Sequence, residues 1–259
     1  MFKFLIVCIV CLQVMAVDLG SQFAWAQSDQ IAGGSPTSRA ATSEGRIATA
    51  EQGFVFLFNG HTMEGWEGNM DFFRVEDGAI VAGSLEKPIP NNEFLCTKKR
   101  YENFDLRLEV RLIGQGNNAG IQFRSERIPN DHEVSGYQCD MGMAWQRPVW
   151  GALYDESRRR KMLAEGPAEQ VSKWLKEGDW NELRILAEGK HIRLYLNGHE
   201  TIAYTENEEH IGLDGIIGLQ IHSGPPTEAW YRMIRIRELP ATDMAQSTKT
   251  KPTVSSEQQ

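Results

Sequence analysis

Apolar and charged residues alternate strictly in FDLRLEVRLI, residues 104–113, and this pattern limits the chain to few folds. A period of two sends alternate side chains to opposite faces of a β-strand. The pattern recurs in AGIQFRSE, WNELRILAEG, KHIRLYLNGHE, GIIGLQIHSG and WYRMIRIREL, and the segment Glu188–Gly189–Lys190 predicts a hairpin turn. Only AEQVSKWLKEG, residues 168–178, predicts a short helix. The sequence therefore indicates an all-β sandwich or barrel.

Composition divides the chain into four segments. Residues 1–26 hold Lys3, an apolar run and the motif AWA, which is typical of a secretory signal peptide cleaved after Ala26. Residues 27–50 and 241–259 are small, polar and without a period, which predicts a flexible linker and a disordered tail. The folded domain is expected over residues 51–240. We therefore expect export to the periplasm or the extracellular space, with an N-terminal membrane or lipid anchor as the alternative.

The net charge argues against two classes of partner, and the cysteine content bears on disulfide pairing. The formal net charge is -8, and the basic runs are short, KKR at residues 98–100 and RRRK at residues 158–161. This argues against nucleic acid as a partner and against attachment to an anionic membrane. We expect no stable membrane insertion of the mature chain. Cys96 and Cys139 remain after cleavage; they either pair or stay buried thiols, and two cysteines alone favour the thiols.

Three predicted strands carry matching polar residues opposite their apolar faces. GIQFRSE presents Gln122 and Arg124, GYQCDMG presents Gln138 and Asp140, and GLQIHSG presents Gln220 and His222. If these strands are neighbours, the six side chains form one patch about 10 Å wide, given a strand spacing of ~4.8 Å. Amides, a carboxylate, a guanidinium and an imidazole suit the hydroxyls of a sugar. The alternative is a solvated outer face.

Aromatic and charged residues nearby extend this candidate site. Flat apolar surfaces for a sugar ring are available from Trp145, Trp150, Tyr137 and Tyr154, whereas Trp66, Trp174 and Trp180 are expected in the core. The segment LYDESRRRK, residues 153–161, holds Glu156 and Arg158 and predicts either a rim for a polar ligand or a surface ion-pair loop. Asp140, Glu156 and His222 could also form a carboxylate–imidazole metal site, although no spacing signals one and no cofactor is predicted.

Several catalytic motifs are missing from the sequence. It has no G-x-S-x-G, no H-E-x-x-H, no phosphate-binding glycine loop and no dinucleotide fingerprint. No predicted strand carries in full the E-x-D-x-x-E motif that places two acids on one face in laminarinase-like glycosidases; the one match to that spacing, EGDWNE at residues 177–182, begins before the predicted strand WNELRILAEG. A standard two-carboxylate glycosidase is therefore not predicted.

Six motifs in order resemble the 3-keto-disaccharide hydrolase domain family over about residues 53–239. They are FxxLFNGxxxxGW, NAGIQFRS, GYQCD, WGALYDESRR, WNELRI with LNG, and GIIGLQIHSGP followed by MIRIREL. The resemblance implies a concanavalin A-like jelly roll of two antiparallel sheets with a concave ligand groove. It also implies a secreted hydrolase or lyase that acts on 3-keto glycosides, for which a sugar 3-dehydrogenase acting upstream would supply the substrate.

The resemblance implies roles for particular residues. Asp140 or His222 would transfer protons, Tyr154 and Glu156 would close the groove, and Arg158 would bind the substrate. Hydroxyls and the ketone or enolate oxygen would be held by Gln122, Arg124, Gln138 and Gln220. The chain has GYQCD where the commoner family pattern is Y-E-x-Q-x-x-D, which removes one candidate acid beside the tyrosine.

Two other functions fit the same sequence. The first is a non-catalytic, lectin-like carbohydrate-binding module, because one sandwich and one polar groove serve both enzymes and lectins. The second is a scaffold or envelope interaction domain. An acid or base with a perturbed pKa in the groove separates the enzyme from the lectin, because only the enzyme needs one.

Overall fold

The fold is described from a computed structural model, which covers residues 53–240 of the chain. The predicted signal peptide, linker and tail lie outside the described residues and stay predictions. Residues 53–240 form sixteen strands and one helix, α1 (Ala168–Trp174). The strands are β1 (Val55–Phe56), β2 (Trp66–Glu67), β3 (Phe73–Glu76), β4 (Ala79–Ser84), β5 (Glu93–Thr97), β6 (Phe104–Gly114), β7 (Asn118–Arg127), β8 (Val134–Ala144), β9 (Arg147–Pro148), β10 (Leu153–Glu156), β11 (Lys161–Ala164), β12 (Asn181–Glu188), β13 (His191–Leu196), β14 (His199–Thr205), β15 (Ile216–Ile221) and β16 (Thr227–Glu238).

The strands build two antiparallel sheets. The first sheet has the order β14-β13-β12-β6-β16-β4-β3, with β1 paired to β16. The second sheet has the order β11-β10-β8-β7-β15-β5-β2, with β9 paired to β8. This confirms the predicted all-β sandwich. The turn at Gly189–Lys190 joins β12 to β13, as the sequence predicts.

The core lies between the two sheets and follows the alternation seen in the sequence. On β6, Phe104, Leu106, Leu108 and Val110 are fully buried, and they share one cluster with Ile121 of β7. Each such side chain contributes about 1.5–3 kcal/mol when it is removed from water. The alternation therefore decides which face of each strand packs inward, and leaves the opposite face for other roles.

The three tryptophans predicted to be core residues behave differently from one another. Trp66 is buried, and its indole N–H donates to the Leu57 carbonyl at 2.8 Å. Trp174 is half-buried and stacks on the His199 ring at 4.6 Å. Trp180 is half-buried and packs against a small cluster apart from the main core, formed by Ala79, Val81 and Trp230, with the Arg232 guanidinium over its ring at 3.9 Å. Cation–π contact with arginine provides that ring with an alternative to core burial.

Both cysteines are buried free thiols, which confirms the prediction that they do not pair. Cys139 lies in the core between the sheets, whereas Cys96 belongs to a small cluster with Phe94. Burial raises the pKa of both thiols, so neither is a ready nucleophile.

Among residues 53–240 there is no helix with the length and apolar content that a bilayer crossing requires.

Candidate active site

Strand order brings the predicted polar residues together on the second sheet. β7 lies between β8 and β15, and β10 adds to the other side of β8. Across these strands Gln122 pairs with Gln138, which in turn pairs with Tyr154. One row further along, Gly120 separates Gln220 from Asp140. The condition on which the predicted patch depends is therefore met: the three strands are neighbours, and their non-core faces form a continuous polar surface.

A pocket of about 390 Å³ opens on this surface. This volume is in the range of small-molecule sites. Five of the predicted site residues line it, and seven further residues complete the lining. The predicted five are Gln138, Asp140, Tyr154, Glu156 and His222; the others are Asn92, Gly116, Asn118, Met143, Ala144, Trp145 and Ser223. Period-two spacing could have found Asn118, which shares a strand face with Gln122, but nothing in the sequence pattern points to Asn92.

Arg124 does not reach the pocket, in contrast to the prediction for it. The pairing of β7 with β8 shifts between Phe123 and Glu126, and Arg124 has a φ of 47° there. This β-bulge breaks the period of two and turns the side chain away from its predicted face. The Arg124 guanidinium instead donates to the backbone carbonyls of Glu102 at 2.8 Å and Gly189 at 2.7 Å.

Arg158 also lies away from the pocket. Its guanidinium covers the Tyr137 ring at 4.5 Å and donates to Asp155 at 2.9 Å, on the core side of β10. Tyr137 itself is fully buried, and Trp150 is buried as well. Neither ring can stack on a sugar in this pocket, so only Trp145 and Tyr154 of the four predicted aromatic surfaces line it.

Asp140 forms the floor of the pocket. It is 4% exposed, and Gln138 Nε2 donates to its Oδ1 at 2.5 Å. Burial raises the pKa of Asp140 to about 8, and the nearby Glu156 and Glu165 charges add to the effect. Desolvation disfavours a carboxylate, and one hydrogen bond compensates only part of that cost. Asp140 is therefore a protonated acid at neutral pH.

Glu156 is the second carboxyl of the pocket. Burial raises its pKa to about 7, and the charge of Glu133 acts in the same direction. Gln220 Nε2 lies 3.4 Å from Glu156 Oε2 and donates to it. As the pH rises, Glu156 ionises first, and its charge then helps to keep the proton on Asp140. Near pH 7 to 8 the pocket thus holds one carboxylate and one carboxylic acid.

His222 completes the set of groups that can exchange a proton. Its Nδ1 lies 2.7 Å from the Ser223 carbonyl oxygen. A carbonyl only accepts, so Nδ1 carries a hydrogen and the neutral ring has its lone pair on Nε2. The half-buried imidazole thus offers an acceptor to the pocket that it lines.

An aromatic rim borders the pocket at the turn between β8 and β9. Trp145 is 63% exposed, and its ring lies 5.9 Å from that of Tyr154. Trp145 and Gln146 have φ angles of 48° and 64°, the left-handed conformation of a tight hairpin turn. An exposed tryptophan held in this way beside a polar pocket presents a flat apolar face, which suits the ring of a sugar.

The metal site considered for Asp140, Glu156 and His222 is not assembled. Within residues 53–240, no three histidine, cysteine, aspartate or glutamate side chains are grouped so that they could hold a metal ion. The three side chains that line the pocket remain available for proton transfer and for hydrogen bonds to a ligand.

Comparison with known proteins agrees with this geometry. A family profile described as a 3-keto-alpha-glucoside-1,2-lyase-like domain matches residues 53–237. The chain belongs to this family. Membership makes the protein a carbohydrate-active, hydrolase-like protein, and it confirms the resemblance carried by the six motifs. A search of curated proteins found no match.

Solved structures support the fold. A candidate glycosyl hydrolase from Parabacteroides distasonis is similar with a TM-score of 0.54 and 19% identity, over 73% of this chain and 94% of that one. A second one from the same organism has a TM-score of 0.53 and 21% identity, over 72% and 99%. A Bacillus subtilis protein with a galectin-like fold has a TM-score of 0.51 and 12% identity, over 67% and 89%. These likenesses indicate a jelly-roll sandwich.

Proposed function

We propose that the protein is an exported enzyme that cleaves 3-keto glycosides by elimination followed by hydration. The observation that carries the proposal is the pair of pocket carboxyls, Glu156 with a pKa of about 7 and Asp140 with a pKa of about 8. Environments that separate two such pKa values provide a base and an acid at one pH. A binding module has no use for this pair.

Elimination uses both carboxyls once. A ketone at C3 acidifies the hydrogen on C2, so the Glu156 carboxylate can remove that proton and form an enolate. The enolate electrons then form the C1–C2 double bond, the C3 ketone returns, and the bond from C1 to the aglycone oxygen breaks. Asp140 gives its proton to that oxygen. The step leaves Glu156 protonated, Asp140 ionised and the sugar as an enone.

Hydration returns both groups to their starting states. Asp140, now a carboxylate, takes a proton from water as the water oxygen bonds to C1. The Glu156 proton goes to C2, and the product is the free 3-keto sugar. This assignment gives the proton transfers to the carboxyl pair, and it makes Glu156 a catalytic residue where the sequence resemblance implies a residue that closes the groove.

The remaining pocket residues fit roles in binding. The side-chain amides of Asn118 and Gln138 each donate one N–H within the protein, to the Met143 carbonyl and to Asp140. Each amide nitrogen has a second N–H, which can stabilise the enolate oxygen. His222 Nε2 can accept from a sugar hydroxyl, and Trp145 can stack on the sugar or its aglycone.

Substrate comparison tests the proposal directly. We expect release of aglycone from 3-keto glucosides and none from the unoxidised parent glucosides, because only the ketone makes C2–H acidic. Glu156→Gln should lower kcat/KM on the keto substrate by about 10²- to 10⁴-fold. The measurement is aglycone release by chromatography, with thermal unfolding as the control for folding. Sugar binding without release from either substrate class would instead support the lectin-like module.

The pH dependence follows from the same pair. Glu156 must be ionised to act as base, so the rate should fall as the pH drops below about 7. Asp140 must be protonated to act as acid, so the rate should fall as the pH rises above about 8. We therefore expect a bell-shaped pH profile of kcat/KM with its maximum between these two values. Because Glu156 and Asp140 interact, both limbs of the profile report the titration of the pair. A rate that stays level across both limbs would rule out this pair.

A further inference from the structure

We propose that Gln122 and Ser125 are positioning residues, which orient Asp140 through Gln138 and serve both of its protonation states. This inference rests on the proposed function for its catalytic meaning, while the hydrogen-bonded chain on which it is built stands independently. The series of hydrogen bonds begins at buried side chains of β7 and ends at Asp140, on the floor of the pocket.

Three consecutive hydrogen bonds join four side chains, which we call the relay: Ser125, Gln122, Gln138 and Asp140. Ser125 Oγ donates to Gln122 Oε1 at 2.9 Å. Gln122 Nε2 donates to Gln138 Oε1 at 2.5 Å, and Gln138 Nε2 donates to Asp140 Oδ1 at 2.5 Å. All four residues are buried, with Gln122 and Ser125 at 0% exposure. The relay therefore ends at the pocket acid but begins where no substrate reaches.

Local backbone geometry makes room for this relay. Residues three apart on a regular strand face opposite sides, but the bulge between Phe123 and Glu126 brings Ser125 to the side of Gln122. Opposite the relay stand two glycines. A Cβ at Gly120 would lie 2.7 Å from Gln138 Cγ, and a Cβ at Gly136 would collide with Ser125 Oγ. Any larger residue at either position would displace a member of the relay.

Burial of Gln122 and Ser125 reduces the free energy of unfolding, so a purely structural role does not explain these polar side chains. A buried polar group needs its hydrogen bonds, and apolar side chains would fill the same space without that need. Gln122 and Ser125 do not line the pocket, so contact with a sugar does not explain them. Their bonds lead to Gln138 and from there to Asp140. Orientation of that acid is the effect that the geometry can deliver.

The relay can also run in the opposite direction. If the side-chain amides of Gln122 and Gln138 both rotate by about half a turn, their oxygen and nitrogen atoms exchange places. A protonated Asp140 then donates to Gln138 Oε1, and Gln138 Nε2 donates to Gln122 Oε1. Gln122 Nε2 donates to Ser125 Oγ, whose hydrogen turns to the Phe123 carbonyl, 3.0 Å away. Each of the four relay side chains keeps a hydrogen-bond partner in both directions. Asp140 can therefore release and regain its proton during one turnover without leaving a member of the relay unpaired.

Other titratable groups near Asp140 lie on other elements. Glu156 ends β10, Glu165 follows β11, and both charges raise the Asp140 pKa. Tyr154 of β10 and His222 after β15 line the same pocket. None of these four is a member of the relay. A variant within the relay thus changes the hydrogen bond to Asp140 and leaves the neighbouring charges in place.

The test measures the Asp140 pKa directly, by carboxyl ¹³C NMR or infrared difference spectroscopy without substrate. Gln122→Met removes the donor that fixes Gln138, so both protonation states of Asp140 lose an oriented partner. A hydrogen bond to a carboxylate is stronger than one from a carboxylic acid, so the carboxylate loses more and the Asp140 pKa should rise by about one unit. Ser125→Ala should give a smaller rise. If the enzyme is active, the alkaline limb of kcat/KM should move upward with the pKa, while KM changes little because neither residue lines the pocket.

Two matched variants complete the design. Gln170→Met makes the same change at an exposed position on α1 and should leave the Asp140 pKa unchanged. Gln220→Met removes the donor to Glu156 and should move the acid limb instead. An Asp140 pKa that stays at the wild-type value in folded Gln122→Met and Ser125→Ala overturns the inference. Absence of turnover would count against the proposed function alone, because the pKa shift needs no substrate.

Discussion

Replacing Asp140 with asparagine is expected to remove activity on 3-keto glycosides and, at alkaline pH, to stabilise the fold. The variant has no proton to give to the leaving oxygen, so kcat/KM should fall by about 10²- to 10⁴-fold. Asparagine has nearly the same shape, and its Oδ1 can accept the hydrogen bond that Gln138 donates to Asp140. Lost packing therefore should not contribute to the effect.

The stability change has a definite sign. The pKa of Asp140 is about 8 in the folded protein, against about 3.9 in an unfolded chain. The folded state therefore binds this proton more tightly, and the stability it contributes is complete below about pH 4 and is lost as the pH rises through 8. A pKa unit is worth about 1.4 kcal/mol, so the loss has an upper bound of about 6 kcal/mol. Asparagine does not titrate and avoids this loss.

Urea unfolding at pH 4 and pH 9 measures the difference. The variant and the wild type should have similar free energies of unfolding at pH 4, and the variant should be more stable by a few kcal/mol at pH 9. Asp105→Asn is the matched control, because Asp105 is also fully buried. Burial alone would raise the pKa of Asp105, but hydrogen bonds from Arg184 and Arg107 outweigh it and hold that pKa below its ordinary value. Asp105→Asn should destabilise the protein at pH 7.

A less stable Asp140→Asn variant at pH 9 would show that the carboxylate is accommodated structurally. Asp140 would then be an ordinary buried polar residue and not a general acid that the pocket keeps protonated. Opposite signs for activity and stability are the expected mark of a functional site, since a group placed for catalysis often costs stability. The experiment thus separates the enzyme from a carbohydrate-binding module without knowledge of the natural sugar.

Sequence alternation predicted the fold and five of the twelve residues that line the pocket for one physical reason. Where a strand has one buried face, its period of two also specifies the other face. Gln138 and Asp140 flank the buried Cys139 and face the pocket, as the alternation requires. The order of the strands within a sheet is a different matter. It depends on contacts between residues far apart in the chain, so the alternation of one strand does not specify its neighbours.

Predictions failed where the backbone departs from that period. Arg124 sits in a bulge that nothing in its residue types announces, and the bulge turns its side chain away from the predicted face. The raised pKa of Glu156 depends on burial and on Glu133, which is 23 positions away in the chain. Neither the bulge nor the electrostatic field can be inferred from a strand pattern, which is why the sequence predicted only a place at the rim for Glu156.

The segment LYDESRRRK combines pocket-lining residues with a buried ion-pair network. Alternation along β10 sends Tyr154 and Glu156 to the pocket and Asp155 to the interior, where it is fully buried. Arg159 reaches the same interior and pairs with Asp155 and with Glu206, which is 1% exposed. The segment thus supplies two residues of the pocket lining, and its ion pairs are buried instead of lying in a surface loop. These ion pairs form a network beneath the strand that carries a pocket carboxyl.

Arg159→Met is expected to cost about 3–5 kcal/mol of unfolding free energy at pH 7, because it leaves buried carboxylates without their main counter-charge. Burial alone would raise the pKa of Glu206, but hydrogen bonds from Arg159 and Tyr137 hold it at about 2. The wild type therefore keeps this stabilisation above about pH 4 and loses it as the pH falls through 2. The gap between variant and wild type should narrow in acid, as urea unfolding at pH 7 and pH 3 would show.

Arg160→Met serves as the control for Arg159→Met, since Arg160 is the exposed neighbour with a φ of 52°. It should change stability by no more than about 0.5 kcal/mol. Equal losses in both variants would mean that the network contributes little and that the turn itself is sensitive. A selective loss for Arg159→Met, with reduced kcat in the fraction that stays folded, would mean that the ion pairs under β10 also hold Glu156 in place. The stability of this strand and the position of the base would then depend on the same buried charges.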